Sequence, residues 1–187
     1  QVHPDDQLAQ KRHQCPGKTE MWYVIKADVG AKIYSGLKQS ITPDDYERLA
    51  KAEPINGHSP MQDVIATHES HQGDLFFLPA GRIHSIGAGA FIAEIQQTSD
   101  VTYRIYDYDR LDLNGQPREL HTQLAAQALD YQVYKEYKSD YQQNVNTANL
   151  CLDTEFFTVR VVDLQEPIRR NMVKYDSFII QSCIEGE

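Results

Sequence analysis

The chain carries 18 Lys and Arg against 27 Asp and Glu over 187 residues, a formal net charge of −9. That balance disfavours nucleic acid and anionic membrane surfaces as general partners, while an anionic small molecule can still sit in a locally basic pocket. With 11 Tyr, an aromatic share of 10% and no apolar run near the ~18 residues of a membrane span, neither disorder nor a transmembrane helix fits.

Short β-type runs separated by turn signals dominate the chain. The first predicted strand covers residues 21–26 and is aromatic and β-branched; a second, 31–34, follows a turn at Gly30. Thr42-Pro43-Asp44-Asp45 then reads as a helix start, with an N-cap, proline at the first position and acids in the first turn, carried on to Ala50. A short helix is expected over 60–66. Residues 74–78 form a strand running into Pro79-Ala80-Gly81, and 91–98 and 102–108 alternate apolar and polar side chains as strands do. Residues 121–129 read as helical. The polar, Tyr-, Gln- and Asn-rich stretch 130–150 reads as a surface connection, followed by strands at 156–164 and 177–184. Many short strands with Gly and Pro punctuation imply a mainly β barrel or sandwich. The expected division is a catalytic domain over 1–130, a connection over 131–150, and the start of a second β domain over 151–187. The chain opens abruptly on Gln1-Val2-His3-Pro4 and closes straight after a strand-like run, so a fragment of a longer protein is expected. Cys15, Cys151 and Cys183 lie far apart with no CxxC pair, which reads as reduced thiols in a cytoplasmic protein.

Three motifs point to chemistry. The strongest is Gly73-x5-Pro79-x-Gly81-x2-His84, a strand, a turn in which Pro79 fixes φ and Gly81 permits positive φ, and a return to strand at His84. Such a corner aims the imidazole of His84 inward; taken alone, it fits a buried hydrogen-bonded histidine equally well. In Gln1-Val2-His3 the first and third residues point to the same face of a strand and can present an oxygen and a nitrogen to one ion. A solvated strand end is the plainer reading of that tripeptide. Glu20, at the start of the run Met21-Trp22-Tyr23, is usually just solvated, but it suits zinc, which takes imidazole nitrogen and carboxylate oxygen at about 2.0–2.2 Å.

The runs QVHPDD, GKTEMWYV, FLPAGRIHSIGAG and AEIQQTSDVTYRIYDYDR, in that order between Gln1 and Arg110, resemble the type I phosphomannose isomerases of the cupin superfamily. The resemblance implies a jelly-roll-like cupin β-barrel with a few short helices, followed by part of a second β domain. It also implies one catalytic Zn2+ per subunit and interconversion of mannose 6-phosphate with fructose 6-phosphate. Carried over by position, the metal ligands are Gln1, His3, Glu20 and His84; the active-site arginine is Arg104, the lysine is Lys18 and the acidic pocket residue is Glu94. Arg110 falls on a phosphate-facing basic position. Without the family, Arg104 and Arg110 read as surface partners of Asp107 and Asp109. The implied partner is a small sugar phosphate, with no nucleic acid and no membrane, and the oligomeric state is left open.

Aldose–ketose isomerisation needs a group that moves a proton between C2 and C1, and positive charge where the enediolate oxygen develops. Lys18, Arg104 and the metal answer the second need, and Glu94 ranks first for the first, ahead of a zinc-bound hydroxide. Two rival readings share the fold: a metal-dependent cupin oxidase or dioxygenase, and a non-catalytic sugar-binding cupin. His13, His58, His68, His71 and His121 lack a comparable frame, and His68 and His71 read as a polar surface turn.

Overall fold

A computed structural model describes residues 1–108 and 110–186; Asp109, named above as an arginine partner, lies outside the described residues. The chain divides into two units, Gln1–Ser139 and Asp140–Glu187.

In the first unit, strands β1 (Glu20–Ala27), β2 (Lys32–Leu37), β3 (Ile65–Glu69), β4 (Leu75–Leu78), β5 (His84–Ile86) and β6 (Ala90–Gln96) build two three-stranded sheets. The orders are β4-β1-β6 and β3-β2-β5, with antiparallel pairing throughout. The run at 21–26 becomes the central strand of its sheet because it is apolar on both faces, and Met21, Trp22 and Val24 are all buried. Trp22, Val24, Phe76 and Leu78 from one sheet meet Ile33 from the other in a shared core, so the sheets face each other. A second core gathers Val2, Tyr46, Met61, Ile83, Tyr103 and Leu129.

The helices are α1 (Asp6–His13), α2 (Pro43–Ala50) and α3 (Thr122–Ala128), with a 3₁₀ turn at Pro60–Val64. Helix α2 starts where expected, on a reciprocal capping box between Thr42 and Asp45. Helix α1 was not expected: it buries only Ala9, so no apolar stripe marks it. Its cap gives the local reason, since Asp5 accepts from the Leu8 amide at 2.7 Å and Lys11, Arg12 and His13 occupy the last turn.

Four expectations change. The helix at 60–66 stops at Val64, where the β-branched pair Val64-Ile65 passes into β3, so His68 sits in a strand opposite Ile33 rather than in a turn. The strand at 102–108 reduces to one bridge, Val2 with Tyr103. Its partner ends at Pro4, which has no N–H to continue a ladder. The stretch 130–150 is only partly a surface connection. Tyr137 is buried, its hydroxyl donates to the Leu37 carbonyl at 2.6 Å, and Asn149 opens a strand. Finally, 177–184 forms no strand, leaving Phe178 and Ile180 exposed, because no strand among the described residues pairs with it.

The second unit contains a hairpin, β7 (Asn149–Asp153) against β8 (Thr158–Val161), with Leu150 opposite Arg160.

Candidate metal centre

The first three residues lie between two neighbours. The carbonyls of Gln1 and His3 accept from the amides of His84 and Gly81 at 3.0 and 2.8 Å, while Val2 exchanges two bonds of 3.0 Å with Tyr103 on the other edge. Val2 and Tyr103 point into the core, so by alternation Gln1 and His3 share the opposite face. Gly81 has φ +88, which supports the tight corner before His84. On the other side of the site, Gly17 lies against the 4–6 backbone, where an added Cβ would stand 2.5 Å from Asp5 C and Asp6 N. Only glycine brings Lys18 and Glu20 that close to the His3 loop.

These constraints bring His3, Glu20 and His84 together, all buried, with one ligand-capable atom from each within 4.8 Å of the others. His3 Nε2 stands 3.4 Å from Glu20 Oε2, and His84 Nε2 stands 3.1 Å from Glu20 Oε1. Each ring is oriented by its other nitrogen: His3 Nδ1 donates to the Val101 carbonyl at 2.8 Å and His84 Nδ1 donates to the Arg82 carbonyl at 2.7 Å. That fixes both as the tautomer whose bare Nε2 faces the carboxylate. His3 Nε2 and both Glu20 oxygens are buried with no hydrogen-bond partner among the described residues. Lone pairs facing lone pairs in a dry site repel unless positive charge lies among them, and the Lys18 ammonium, 3.1 Å from Glu20 Oε2, supplies part of it. The side-chain amide of Gln1 also reaches the cluster, 3.0 Å from His84 Nε2, and a half-turn of the amide presents its oxygen there.

The protonation states suit metal ligation. Burial pulls His84 down to about 4, outweighing the upward pull of Glu20, so its imidazole is neutral at pH 7. Lys18 Nζ, 3.1 Å from Glu20 Oε2, favours the ionised form of that carboxylate. Neutral imidazole and ionised carboxylate are the forms that bind a divalent cation. The residues present therefore fit zinc, whose preferred donors are these.

The remaining sequence candidates separate into two groups. Lys18 is buried, with Nζ 3.1 Å from Glu20 Oε2 and 3.6 Å from Glu94 Oε1. Glu94 lies opposite Trp22 in the β1–β6 ladder, and its Oε2 accepts the Trp22 indole N–H at 2.9 Å. Arg104 lies opposite Gln1 across the Val2–Tyr103 bridge, on the face of Gln1 and His3. The Arg110 guanidinium donates to Asp107 Oδ1 at 2.6 Å, as the plain ion-pair reading expects, and both groups act electrostatically on the Gln1 amino group. Asp107 also takes a bidentate bond from Arg118, and although burial pushes its carboxyl up, Arg118 and Arg110 together hold it below its ordinary value. The Asp107–Arg118 pairing had no sequence signal, because the partners lie eleven positions apart across a loop.

No family model matches the chain. YvyI of Bacillus subtilis is 35% identical over 196 residues, covering 99% of this chain and 57% of that protein. A mannose-6-phosphate isomerase of Streptococcus mutans is 39% identical over 137 residues, covering 69% of this chain and 39% of that protein. The crystal structure of the mannose 6-phosphate isomerase from Bacillus subtilis superposes with a TM-score of 0.74 at 33% identity, over 85% of this chain and 49% of that one. Two facing antiparallel sheets with a His–Glu–His cluster on their strands and edge define the chain as a cupin. It spans about half the length of the relatives it matches. It belongs to the mannose-6-phosphate isomerase family.

Proposed function

We propose that the protein interconverts mannose 6-phosphate and fructose 6-phosphate in the cytoplasm, with one zinc ion held by Gln1, His3, Glu20 and His84. The observation that carries this reading is the buried His3–Glu20–His84 cluster, whose ligand-capable atoms lie within 4.8 Å of one another, in a member of this family. Bound zinc supplies positive charge that polarises the hydroxyl and carbonyl oxygens of the open-chain sugar.

The chain's own groups do the rest. Glu94 takes the proton from C2 and electron density passes to O1; the proton returns to C1, the O2 proton passes to O1, and C2 is left as the ketone. Lys18 and Arg104 hold the negative charge that grows on the enediolate oxygen. Glu94 is suited to the shuttle: one oxygen is anchored by the Trp22 indole, the other points toward Lys18, and the side chain is 33% exposed, open to a substrate. Arg110 takes the phosphate by exchanging its bond to Asp107 for a bidentate one.

The test is Glu20→Gln and His84→Ala in the intact protein, with zinc measured by mass spectrometry beside mannose 6-phosphate turnover. Both variants lose metal and activity together. Wild-type zinc content and turnover in either would end the reading. Iron in the purified protein with oxygen uptake would favour the oxidase instead, and sugar binding without turnover the non-catalytic cupin.

A further inference from the structure

Residues 101–105 run as a short extended segment with partners on two edges. On one edge Tyr103 exchanges both its main-chain bonds with Val2. On the other edge, where a β-sheet would supply the next strand, stands one residue. The His121 amide donates to the Arg104 carbonyl at 2.8 Å, and the Arg104 amide donates to His121 Nδ1 at 3.1 Å. A main-chain donor and a ring acceptor of one residue thus replace the donor and acceptor of a missing strand.

His121 is also the N-cap of α3, yet its side chain makes no capping bond to that helix. Ser, Thr, Asn and Asp are the usual N-caps because their side-chain oxygens satisfy the first helical amides. Here the local rule is broken, and the acceptor that a cap would offer to α3 serves Arg104 instead. The tautomer agrees: with Nδ1 accepting, the ring proton sits on Nε2, 3.9 Å from Glu119. The ring is further placed by Tyr103, at 6.2 Å between centroids, whose hydroxyl is bonded in turn to His13 Nε2 at 2.7 Å.

We infer that His121 is a positioning residue for Arg104: by closing the open edge of the 101–105 segment, it fixes the backbone from which the guanidinium reaches toward the Gln1 and His3 face. This rests on the reading of Arg104 under Proposed function. It assigns work to a histidine that lies outside the four runs between Gln1 and Arg110.

The test compares three variants of the intact protein, each checked for folding by thermal melt, with zinc content and the kinetics of mannose 6-phosphate measured. His121→Ala leaves the Arg104 amide without an acceptor; kcat/KM falls about tenfold, in keeping with loss of one buried hydrogen-bond partner, while zinc per chain is unchanged. His121→Asn carries an oxygen near the place of Nδ1 and returns most of the loss. His121→Ser is a good helix cap but too short to reach Arg104, so it stays as low as the alanine variant. Serine recovering as well as asparagine would reduce His121 to a cap and overturn the inference, as would unchanged kcat/KM in the alanine variant. Arg104→Lys, measured alongside, separates the two readings. Full turnover there removes the role of Arg104 itself, and the inference with it. An impaired lysine variant beside an unaffected alanine variant removes the inference alone.

Discussion

The ligand cluster and the arginine loop belong to one unit but are built in opposite ways. His3, Glu20 and His84 are buried on β1, β5 and a segment bonded on both edges, and His3 Nε2 and both Glu20 oxygens have no hydrogen-bond partner among the described residues. Arg110 and Arg118 have side chains 63% and 33% exposed, and both are tied to Asp107. An unsatisfied buried polar atom costs roughly 1–3 kcal/mol, so a fold that tolerates three of them is organised around something that binds there. The arginines are the reverse case: they are satisfied now and must change partners to meet an anion. The first region is preorganised, and the second is adaptable. Arg104 lies between these extremes, with a backbone pinned on both edges and a half-buried side chain.

The sharpest way to break this contrast is Glu20→Gln. The amide keeps the shape but turns one donor-free oxygen into an NH2 group, which points hydrogens at a site arranged for lone pairs. Zinc content falls to near zero and kcat/KM drops on the order of 10³-fold, read by metal analysis and steady-state assay. Next in size is Arg104→Ala, expected to lower kcat/KM by about 10²-fold with zinc retained. If both variants lost zinc equally, the cluster and the arginine would be one structural network and the contrast would be wrong.

The same contrast explains what was legible in the sequence. Pro79, Gly81 and His84 are close in the chain, and the strand–turn–strand they imply is the one that forms. Glu20 by itself reads as a solvated residue, and only the family resemblance marks it as a ligand; it is buried. The distances among His3, Glu20 and His84, and the bare nitrogens aimed at the carboxylate, depend on carbonyls of Val101 and Arg82 that no pattern reveals. Helix α1 was missed because its stability is in its caps rather than in an apolar face. The run 177–184 misled because β propensity says nothing about whether a partner strand is present. Tyr137 was illegible for a related reason. Its ring fills the space that a Cβ on Gly36 would need, at 2.0 Å, a contact a hundred residues apart.

Smaller effects refine the comparison. Arg110→Ala removes an exposed group already paired with Asp107, so KM for mannose 6-phosphate rises only about three- to tenfold and kcat holds, as expected for an exchangeable surface charge. A loss as large as that of Arg104→Ala would put Arg110 in the preorganised region after all.

The smallest change is Thr42→Ala, and it tests whether activity here follows local preorganisation or overall stability. Thr42 caps α2, with its hydroxyl accepting from the Asp45 amide at 3.1 Å and donating to the Asp45 carboxylate at 2.8 Å. Those bonds, with Arg48, lower the Asp45 carboxyl to about 2. The unfolded chain takes up this proton near the ordinary value of 3.8, so the box stabilises the fold fully above about pH 4 and loses that contribution as pH falls through about 2. Thr42→Ala should therefore be less stable than wild type at pH 7 in a denaturant melt, and the gap should narrow between pH 4 and pH 2. None of these residues touches the ligand cluster, so kcat/KM at 25 °C stays at the wild-type value. A fall in turnover matching that of Arg110→Ala would mean that the site is held by global stability, and that burial at His3, Glu20 and His84 is not sufficient to hold their geometry.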